Sequence, residues 1–398
     1  MAVYFASYIM RNNFAVMIVK ICSDMLLPKS ALAVVITGMT VCYGVGQIVS
    51  GLLGDKISSR VMLCGGLSLA VICNVLMFFA ESVAFMTVIW CVNGLAHAML
   101  WPPIVRLLSQ NLNDVEYNYA VVRVSWGSSI ATIAMYLFCP LLLTFMSWRA
   151  IILLFAFVGA TICVLWILLN PKFISEGKEK TKKNDEGQTA VERKPVPHYA
   201  FLPIAFIMLS IILQGILRDG VTNWMPSLMN ESFKLGEELS ILSTVILAVF
   251  SMISFSVSSL IHTRLLKNEV TCASAIFAFS AISAVLLYFA NEYLKSPIVS
   301  ALLLSLIVAG MHGINLMLIT IVPKRFAKSG RVSTFSGILN SCTYIGAAIA
   351  TYGVAALAES FDWGVTILVW AGISALGIIS CAIIVPAWRR FKKEYAQD

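Results

Sequence analysis

A series of long apolar segments is the feature that most constrains the fold of this chain. Twelve of them follow one another along 398 residues, and each is about long enough to cross a bilayer as a helix. Backbone polar groups surrounded by lipid must be bonded within the protein, so single apolar stretches of this length fold as helices. The predicted spans are residues 1–22, 31–54, 61–80, 83–108, 117–142, 149–170, 199–229, 239–262, 270–290, 297–322, 332–358 and 364–386. We therefore predict an all-α integral membrane protein with twelve transmembrane helices.

The composition also indicates a membrane protein and argues against other classes. Apolar residues make up 59% of the chain and charged residues 12%, with a mean hydropathy of +0.88. The net charge of +8 does not predict nucleic-acid binding, because the basic residues lie in short loops between apolar segments. The ten cysteines are scattered singly without metal-ligand spacing. We expect the lipid bilayer as a partner, and no nucleic acid, metal or cofactor.

The distribution of Lys and Arg predicts the orientation. With the N-terminus inside, the inner loops hold 19 basic residues and the outer side holds five. We therefore expect a multi-pass protein of the plasma (inner) membrane with both termini in the cytoplasm. The first span lacks the basic region and uninterrupted apolar core of a cleaved signal peptide. Only ten residues precede Arg11, so an upstream start stays open.

One long polar stretch predicts the domain organisation. Residues 171–198 are highly charged and have no apolar periodicity, which is typical of a flexible linker. Six predicted spans lie on each side of it. We predict an N-terminal six-helix bundle over 1–170, a cytoplasmic linker over 171–198, a C-terminal six-helix bundle over 199–388 and a cytoplasmic tail over 389–398.

Two arginines lie inside apolar segments, Arg11 in the first and Arg218 in the seventh. An ionised guanidinium at the centre of a bilayer costs about 2.5–3.5 kcal/mol on insertion scales, so such residues usually face an interior cavity and serve a function. One arginine comes from each half of the chain. The pair predicts a positively charged pocket closed from both sides.

The neighbours of these arginines indicate an anion site. Tyr4 and Tyr8 lie seven and three residues before Arg11 and share its helical face, and Gln214 and Thr222 share the face of Arg218. A guanidinium matches two phosphate oxygens at once, and tyrosine hydroxyls can donate to the others. Two arginines balance a phosphate group of about −1.5 to −2.

The alternative, arginines paired with buried acids, has few candidates in the sequence. Asp219 is the only acid clearly within a predicted span. It is adjacent to Arg218 and points about 100° away from it on the helix. We therefore expect both arginines to bind substrate.

The loop after the second span, GLLGDKISSR, resembles a loop motif of the major facilitator superfamily. The matching residues are Gly51, Asp55, Lys56 and Arg60, and Ser58 stands where the motif has a second glycine. Asp55 can pair with a helix N-terminus or with an arginine at the inner side, for which Arg106 and Arg123 are candidates. Such a pair would act as a latch that holds one conformation. The corresponding loop after span eight lacks the motif, and a plain solvated loop is the alternative.

Further motifs resemble the organophosphate:phosphate antiporters, a branch that includes glycerol-3-phosphate and hexose-phosphate carriers. The similar segments are YFASYIMRNNFA from Tyr4, Tyr43–Gly44, Trp101–Pro103 with Arg106, RDGVTNWMP from Arg218, PKRF from Pro323 and Tyr344–Gly346. The resemblance covers nearly the whole chain. It implies the major facilitator fold of two pseudo-symmetric six-helix bundles, and it places the substrate-binding arginines at Arg11 and Arg218. It also implies exchange of phosphate esters against phosphate.

Several residues depart from the pattern of glycerol-phosphate carriers. Asn12 and Gln47 replace cations, Asp219 replaces an aromatic residue, and span five has no histidine. The pocket is therefore less positive than the pattern implies.

Two histidines lie in corresponding spans of the two halves, His97 in span four and His312 in span ten. They can protonate together with substrate binding or form hydrogen bonds between helices. Gln47, Asn340 and Tyr344 have the same two alternatives, and Asn340 and Tyr344 share one face of span eleven.

These features predict transport by alternating access. Unpaired arginines are costly to reorient, so movement would be fast only with an anion bound, and one phosphate would leave for each ester that enters. A proton-coupled symporter of organic anions and a membrane sensor of phosphorylated metabolites are the alternatives. An enzyme is not expected, because no catalytic motif occurs. A monomer suffices for this mechanism.

Overall fold

The structure is a computed structural model that describes residues 1–27, 29–173, 194–236 and 243–396. Every structural statement below concerns these residues. Most of the predicted linker, residues 174–193, lies outside them, as does the predicted start of the eighth span at residue 239.

The described chain is helical throughout, without a β-strand. The helices up to the linker are α1 (Ala2–Val16), α2 (Ile18–Met25), α3 (Lys29–Gly54), α4 (Ser59–Phe78), α5 (Val83–Ala98), α6 (Trp101–Asn111), α7 (Asp114–Leu143) and α8 (Trp148–Phe173). Those after it are α9 (Phe201–Phe233), α10 (Val245–Arg264), α11 (Glu269–Phe289), α12 (Pro297–Ile314), α13 (Val332–Ser360) and α14 (Trp363–Phe391). The segment between α12 and α13 forms a π-helical turn (Asn315–Ile321) and then a 3₁₀ helix (Val322–Ser329).

Ten helical stretches in the described part of the chain are long and apolar enough to cross a membrane. The first predicted span is not among them because it is divided at Met17 into α1 and α2. The eleventh predicted span forms α13, a helix of 29 residues. The prediction of an all-α integral membrane protein is confirmed.

The lipid-facing surface is visible in the exposure of large apolar side chains. Phe157 on α8 is 70% exposed and Ile282 on α11 is 61% exposed. Side chains of this kind recur along the spans, where a soluble protein would carry charged residues. Their exposure is favourable only in lipid.

The chain divides into two compact units. Unit 1 consists of Met1–Val196 and Phe326–Ile338, and unit 2 consists of Pro197–Arg325 and Leu339–Asp398. The first turns of α13 therefore belong to unit 1 and the rest of that helix to unit 2.

Within unit 2, two glycines bring α9 and α13 into close contact. A Cβ atom on Gly215 would lie 2.3 Å from the carbonyl oxygen of Thr343, and one on Gly346 would lie 2.2 Å from that of Ile212. Only glycine permits the two backbones to approach so closely. The contact fixes α9, which carries Arg218, against α13, which carries Tyr344.

Within unit 1, three buried asparagines hold α1 in place. Asn13 donates to the Oδ1 of Asn74 at 2.8 Å. Asn74 donates to the carbonyl oxygen of Met10 at 3.1 Å, and Asn93 donates to the same oxygen at 3.3 Å. This asparagine cluster (Asn13, Asn74 and Asn93) contacts α1 on both sides of Arg11. It therefore fixes the rotation of α1 and the direction in which Arg11 points.

The asparagine cluster gives a first prediction. Replacing Asn74 by Leu leaves the amide of Asn13 buried without its acceptor, at a cost of about 1–3 kcal/mol. We expect the thermal unfolding midpoint of the purified protein to fall by about 2–12 °C, since 1 kcal/mol corresponds to about 2–4 °C in a domain of 150–250 residues. Asn111→Leu is the control, because Asn111 is exposed and donates only within its own helix. Equal unfolding midpoints of the two variants would show that the cluster does not stabilise the fold.

Candidate functional site

The guanidinium of Arg11 lies between two tyrosine rings in unit 1. Its Cζ is 4.3 Å from the ring centroid of Tyr8 and 4.8 Å from that of Tyr43. Its Nε donates to the side chain of Asn12 at 3.4 Å. Contacts of this kind stabilise a cation by about 0.5–2 kcal/mol, more where water is excluded. Tyr8 and Arg11 thus share a helical face as predicted, and Tyr43 on α3 adds a second ring.

Further aromatic rings continue from this pair. The ring centroids of Tyr4 and Tyr8 are 5.0 Å apart, and those of Tyr4 and Trp101 are also 5.0 Å apart. Trp101 begins α6, where the sequence WPP places two prolines in the first turn of the helix. The site around Arg11 therefore combines one cation with rings from α1, α3 and α6. These rings form an aromatic wall (Tyr4, Tyr8, Tyr43 and Trp101), and its tyrosine hydroxyls can donate to an anion.

His97 and Gln47 are buried in the same unit. His97 is 1% exposed, and its Nδ1 lies 2.9 Å from the hydroxyl of Ser7 on α1. Gln47 is fully buried, and its Nε2 donates to the carbonyl oxygen of Ala98 at 3.5 Å. The structure thus places both side chains in contacts between helices. A role of either residue in binding substrate stays a prediction.

Arg218 in unit 2 has a different environment. Its Nε lies 2.7 Å from Oδ1 of Asp219, and its Nη2 lies 2.9 Å from Oδ2. The two side chains are only 16% and 22% exposed, so the ion pair is weakly screened by water. The expectation that Asp219 leaves Arg218 unpaired is wrong.

The cause lies in the length of the arginine side chain. Neighbouring Cβ atoms on a helix point about 100° apart, but this fixes only the first bond of each side chain. The remaining torsions of Arg218 bring its planar fork to the carboxylate, and the bidentate geometry stabilises that arrangement. Arg218 therefore contributes little net charge while the pair is closed.

The other candidates in unit 2 make hydrogen-bond and ring contacts of their own. Gln214 is fully buried and donates to the carbonyl oxygen of Met311 at 3.2 Å. The ring of His312 lies 5.5 Å from that of Phe255 in an edge-on arrangement. Asn340 is 8% exposed and forms no hydrogen bond with a described residue, and Tyr344 is partly exposed on α13. None of these contacts joins His312 or Asn340 directly to Arg218 within the described part of the chain.

Regular α-helix ends at Ile314, two residues after His312. The next seven residues, Asn315–Ile321, form the π-helical turn. Turns of this type inside helices are rare and occur frequently at functional sites. Hydropathy did not predict it, because a change of helical pitch leaves the apolar run unbroken.

The carboxylate of Asp55 binds the N-terminus of α13 within unit 1. Its two oxygens accept from the backbone N–H groups of Ser333 at 2.8 Å and Thr334 at 2.9 Å. A carboxylate there satisfies free amides and interacts favourably with the helix dipole. Close packing accompanies this bond, since a Cβ on Gly51 would lie 2.9 Å from the carbonyl oxygen of Ser333.

The arginines proposed as alternative partners of Asp55 bind elsewhere. Arg106 donates to the carbonyl oxygens of Gly54 and Ile57 in the same loop, the second at 3.0 Å. Arg123 stacks on the ring of Tyr119 at 4.2 Å.

The two remaining cations of the loop motif are Arg60 and Lys56. Arg60 donates to the carbonyl oxygen of Ile167 at 3.4 Å, and Lys56 is exposed. Of the partners considered from the sequence, Asp55 thus binds the helix N-terminus.

Sequence reasoning missed the asparagine cluster and Trp101 as part of the wall. The signal for the cluster was available, since Asn74 and Asn93 are amides inside long apolar runs. Polar residues within spans usually bond to other helices. The sequence alone could not state which helix each amide would reach.

Known proteins resemble this chain along most of its length. A curated glycerol-3-phosphate transporter of Bacillus subtilis is 24% identical over 96% of this chain and 89% of its own length. A probable hexose phosphate transport protein of Chlamydia muridarum is 19% identical over 97% and 88%. The membrane sensor protein UhpC of Escherichia coli is 23% identical over 94% and 88%.

A solved structure and a family model agree with the fold. The fucose:proton symporter FucP of Escherichia coli covers 96% of this chain and 97% of its own with a TM-score of 0.70 at 14% identity, a likeness that concerns the fold. The model of the Major Facilitator Superfamily matches residues 1–351. The family and the fold are those of transporters. The chain described here therefore belongs to the Major Facilitator Superfamily.

Proposed function

We propose that this protein transports small phosphorylated anions across the membrane, in exchange for inorganic phosphate, by alternating access. The observation that carries the proposal is the tyrosine-lined environment of Arg11 inside the first apolar segment. Relatives that cover nearly the whole chain are named as glycerol-3-phosphate and hexose phosphate carriers. We place the protein in the plasma membrane with both termini in the cytoplasm.

In this proposal Arg11 binds the substrate phosphate while Arg218 is still paired with Asp219. The faces of Tyr8 and Tyr43 stabilise its charge while no anion is bound. The planar fork can then donate hydrogen bonds to two phosphate oxygens. Tyr4, next to Tyr8 in the same wall, can donate to a third oxygen through its hydroxyl.

Arg218 takes part only after exchanging its partner. Asp219 occupies the fork that a phosphate would use, with both carboxylate oxygens within 2.9 Å. We propose that substrate phosphate displaces Asp219 and that the carboxylate competes with the substrate. Only substrates that bind Arg218 more tightly than Asp219 does would then displace the carboxylate.

The Arg218–Asp219 pair also bears on strict exchange. Two positive charges would make the empty transporter slow to reorient, so that only the loaded form moves quickly. With Arg218 paired, the empty state carries one positive charge fewer. Strict exchange by charge repulsion therefore depends on Asp219 moving away from Arg218 during the cycle, and the dependence of uptake on internal phosphate tests whether exchange is strict.

The functional test is counterflow in proteoliposomes. Vesicles loaded with phosphate should take up labelled phosphate esters, and vesicles without phosphate should not. A membrane sensor would bind esters without any counterflow. Uptake that needs a pH gradient but no internal phosphate would contradict exchange and favour proton coupling.

Proton coupling is the second candidate, and one observation favours it. A carboxylate paired with a substrate arginine releases that arginine when it takes up a proton. Asp219 has this position beside Arg218. His312 lies within electrostatic range of both Arg218 and Asp219.

The proposed binding of phosphate by the forks of Arg11 and Arg218 (the arginine clamp) gives a second prediction. Arg11→Lys and Arg218→Lys keep the charge but lose the fork that binds two oxygens. We expect each to reduce exchange at least tenfold, measured as the rate of labelled phosphate counterflow. Arg149→Lys is the control, because Arg149 binds the carbonyl oxygens of Phe78 and Ala80 at a helix end. Full exchange in both site variants would exclude the clamp.

The ion pair gives a third prediction. Asp219→Asn removes the competing charge, so we expect half-saturation at an about tenfold lower ester concentration, which corresponds to about 1.4 kcal/mol. The competition ends because Asn cannot form the charged pair with Arg218. Asp219→Glu retains the charge and is the matched control. Identical half-saturation in the two variants would show that the carboxylate does not compete.

The helix cap at Asp55 gives a fourth prediction. We propose that this bond to α13 is the latch of one conformation, so Asp55→Asn should lower the counterflow rate about tenfold by weakening it. Asp362→Asn is the matched control, because Asp362 caps α14 by accepting from Val365 N–H at 2.8 Å. A latch predicts loss of rate only for Asp55. Equal rates in the two variants would reduce Asp55 to an ordinary cap.

A further inference from the structure

We propose that unit 2 binds one anionic phospholipid of the cytoplasmic leaflet, with the lipid phosphate in a basic cavity at the N-terminus of α11. The acyl chains would lie along the seam between α11 and α14. This site shares no residue with the proposed transport site and does not depend on the proposed transport, although the leaflet rests on the orientation proposed above.

The cavity has a volume of about 330 Å³. Its lining consists of Leu265, Leu266, Lys267, Asn268, Thr271, Arg389 and Lys392. Three of these seven side chains are cationic and none is acidic. Asn268 caps α11 by accepting from the backbone N–H of Thr271 at 3.0 Å. A helix N-terminus beside three cations is an environment that favours a phosphate group.

A buried carboxylate next to the cavity does not cancel this charge. Glu269 is fully buried and lies 2.6 Å from Nη2 of Arg325 and 3.0 Å from Nζ of Lys392. The indole N–H of Trp388 donates to it at 3.1 Å. Two cations therefore surround one carboxylate, and this group keeps one net positive charge. It also holds Lys392, on the turn after α14, at the cavity wall.

The other two cations of the lining add to this net positive charge. Lys267 and Arg389 are both exposed, and neither forms an ion pair with a described residue. Arg390, next in the chain, has its own partner in Glu394 at 2.9 Å. The cavity with its neighbouring carboxylate group thus carries about three uncompensated positive charges. An anion is the ligand that this arrangement stabilises.

The apolar part of the lining indicates a lipid rather than a free phosphate. Leu265 is 75% exposed beside the cations. Thr271, Ala275 and Ile282 lie on one face of α11, and this face leads from the cavity along the exposed apolar surface. A soluble anion would gain nothing from these walls, whereas acyl chains would cover them.

The seam itself is fixed by contacts between the two helices. Ser274 on α11 donates to the carbonyl oxygen of Ile378 on α14 at 3.4 Å. On α14, Pro386 and Arg389 share a face, so the exposed proline precedes the cation by one turn. Apolar surface and positive charge thus adjoin on both helices. Basic pockets between spans at the cytoplasmic side are suited to anionic head groups.

The fifth prediction tests this site by native mass spectrometry of the full chain. The protein is offered equimolar phosphatidylglycerol and phosphatidylcholine with identical acyl chains. We expect the unmodified protein to retain one phosphatidylglycerol. The double variant Lys267→Gln/Arg389→Gln should bind it about thirtyfold more weakly, which corresponds to about 1 kcal/mol for each cation.

The matched control is Arg264→Gln/Lys393→Gln. These residues are exposed at the same end of unit 2, lie outside the lining and remove the same charge. Retained lipid in this variant supports a defined site. Equal loss in both double variants, or equal retention of the two lipids by the unmodified protein, would overturn the proposal.

A second arm separates a lipid from a free anion. Excess inorganic phosphate should leave the bound phosphatidylglycerol in place. Displacement of the lipid by phosphate would reassign the cavity to a soluble anion and overturn the lipid proposal. Counterflow by the unmodified protein is measured separately, so failure of the transport proposal leaves this result interpretable.

Discussion

An ionised guanidinium within a bilayer has to be stabilised by the protein. The side chains around Arg11 and Arg218 do this in two different ways. Arg11 rests against two aromatic faces, on a helix whose rotation the asparagine cluster fixes. Arg218 is stabilised by a neighbouring carboxylate instead. Aromatic faces stabilise the charge of Arg11 without neutralising it, whereas a carboxylate compensates that of Arg218. The two arginines therefore have different electrostatic environments, although the sequence has one in each half.

The helices themselves could be predicted well, because lipid imposes one simple condition on them. A segment surrounded by hydrocarbon must be apolar over about 20 residues, and this condition is readable without any tertiary information. Helix α4 spans Ser59–Phe78 where residues 61–80 were expected. The division at Met17 and the π-helical turn after His312 were not predicted, since both leave the apolar run intact. Their cause is local hydrogen bonding, which hydropathy does not describe.

The local contacts of the candidate residues could be predicted only in part from the sequence. Periodicity correctly placed Tyr8 beside Arg11, because residues three apart share a helical face. It failed for Asp219, because long side chains can meet across directions that their Cβ atoms do not share. The basic cavity beside α11 escaped notice for another reason. Its cations come from two segments more than a hundred residues apart, and each segment alone resembles an ordinary inner loop.

The division of the first span has a mechanical consequence. Helix α1 ends at Val16 and α2 begins at Ile18, with Met17 between them outside regular helical geometry. Bending at this joint would let α2 tilt while the asparagine cluster keeps α1 stationary. Backbone hydrogen bonds from Met17 N–H to Asn13 at 3.2 Å and from Ile21 N–H to Met17 at 3.0 Å continue across the joint. The first span can therefore change direction there without leaving these backbone groups unsatisfied in lipid.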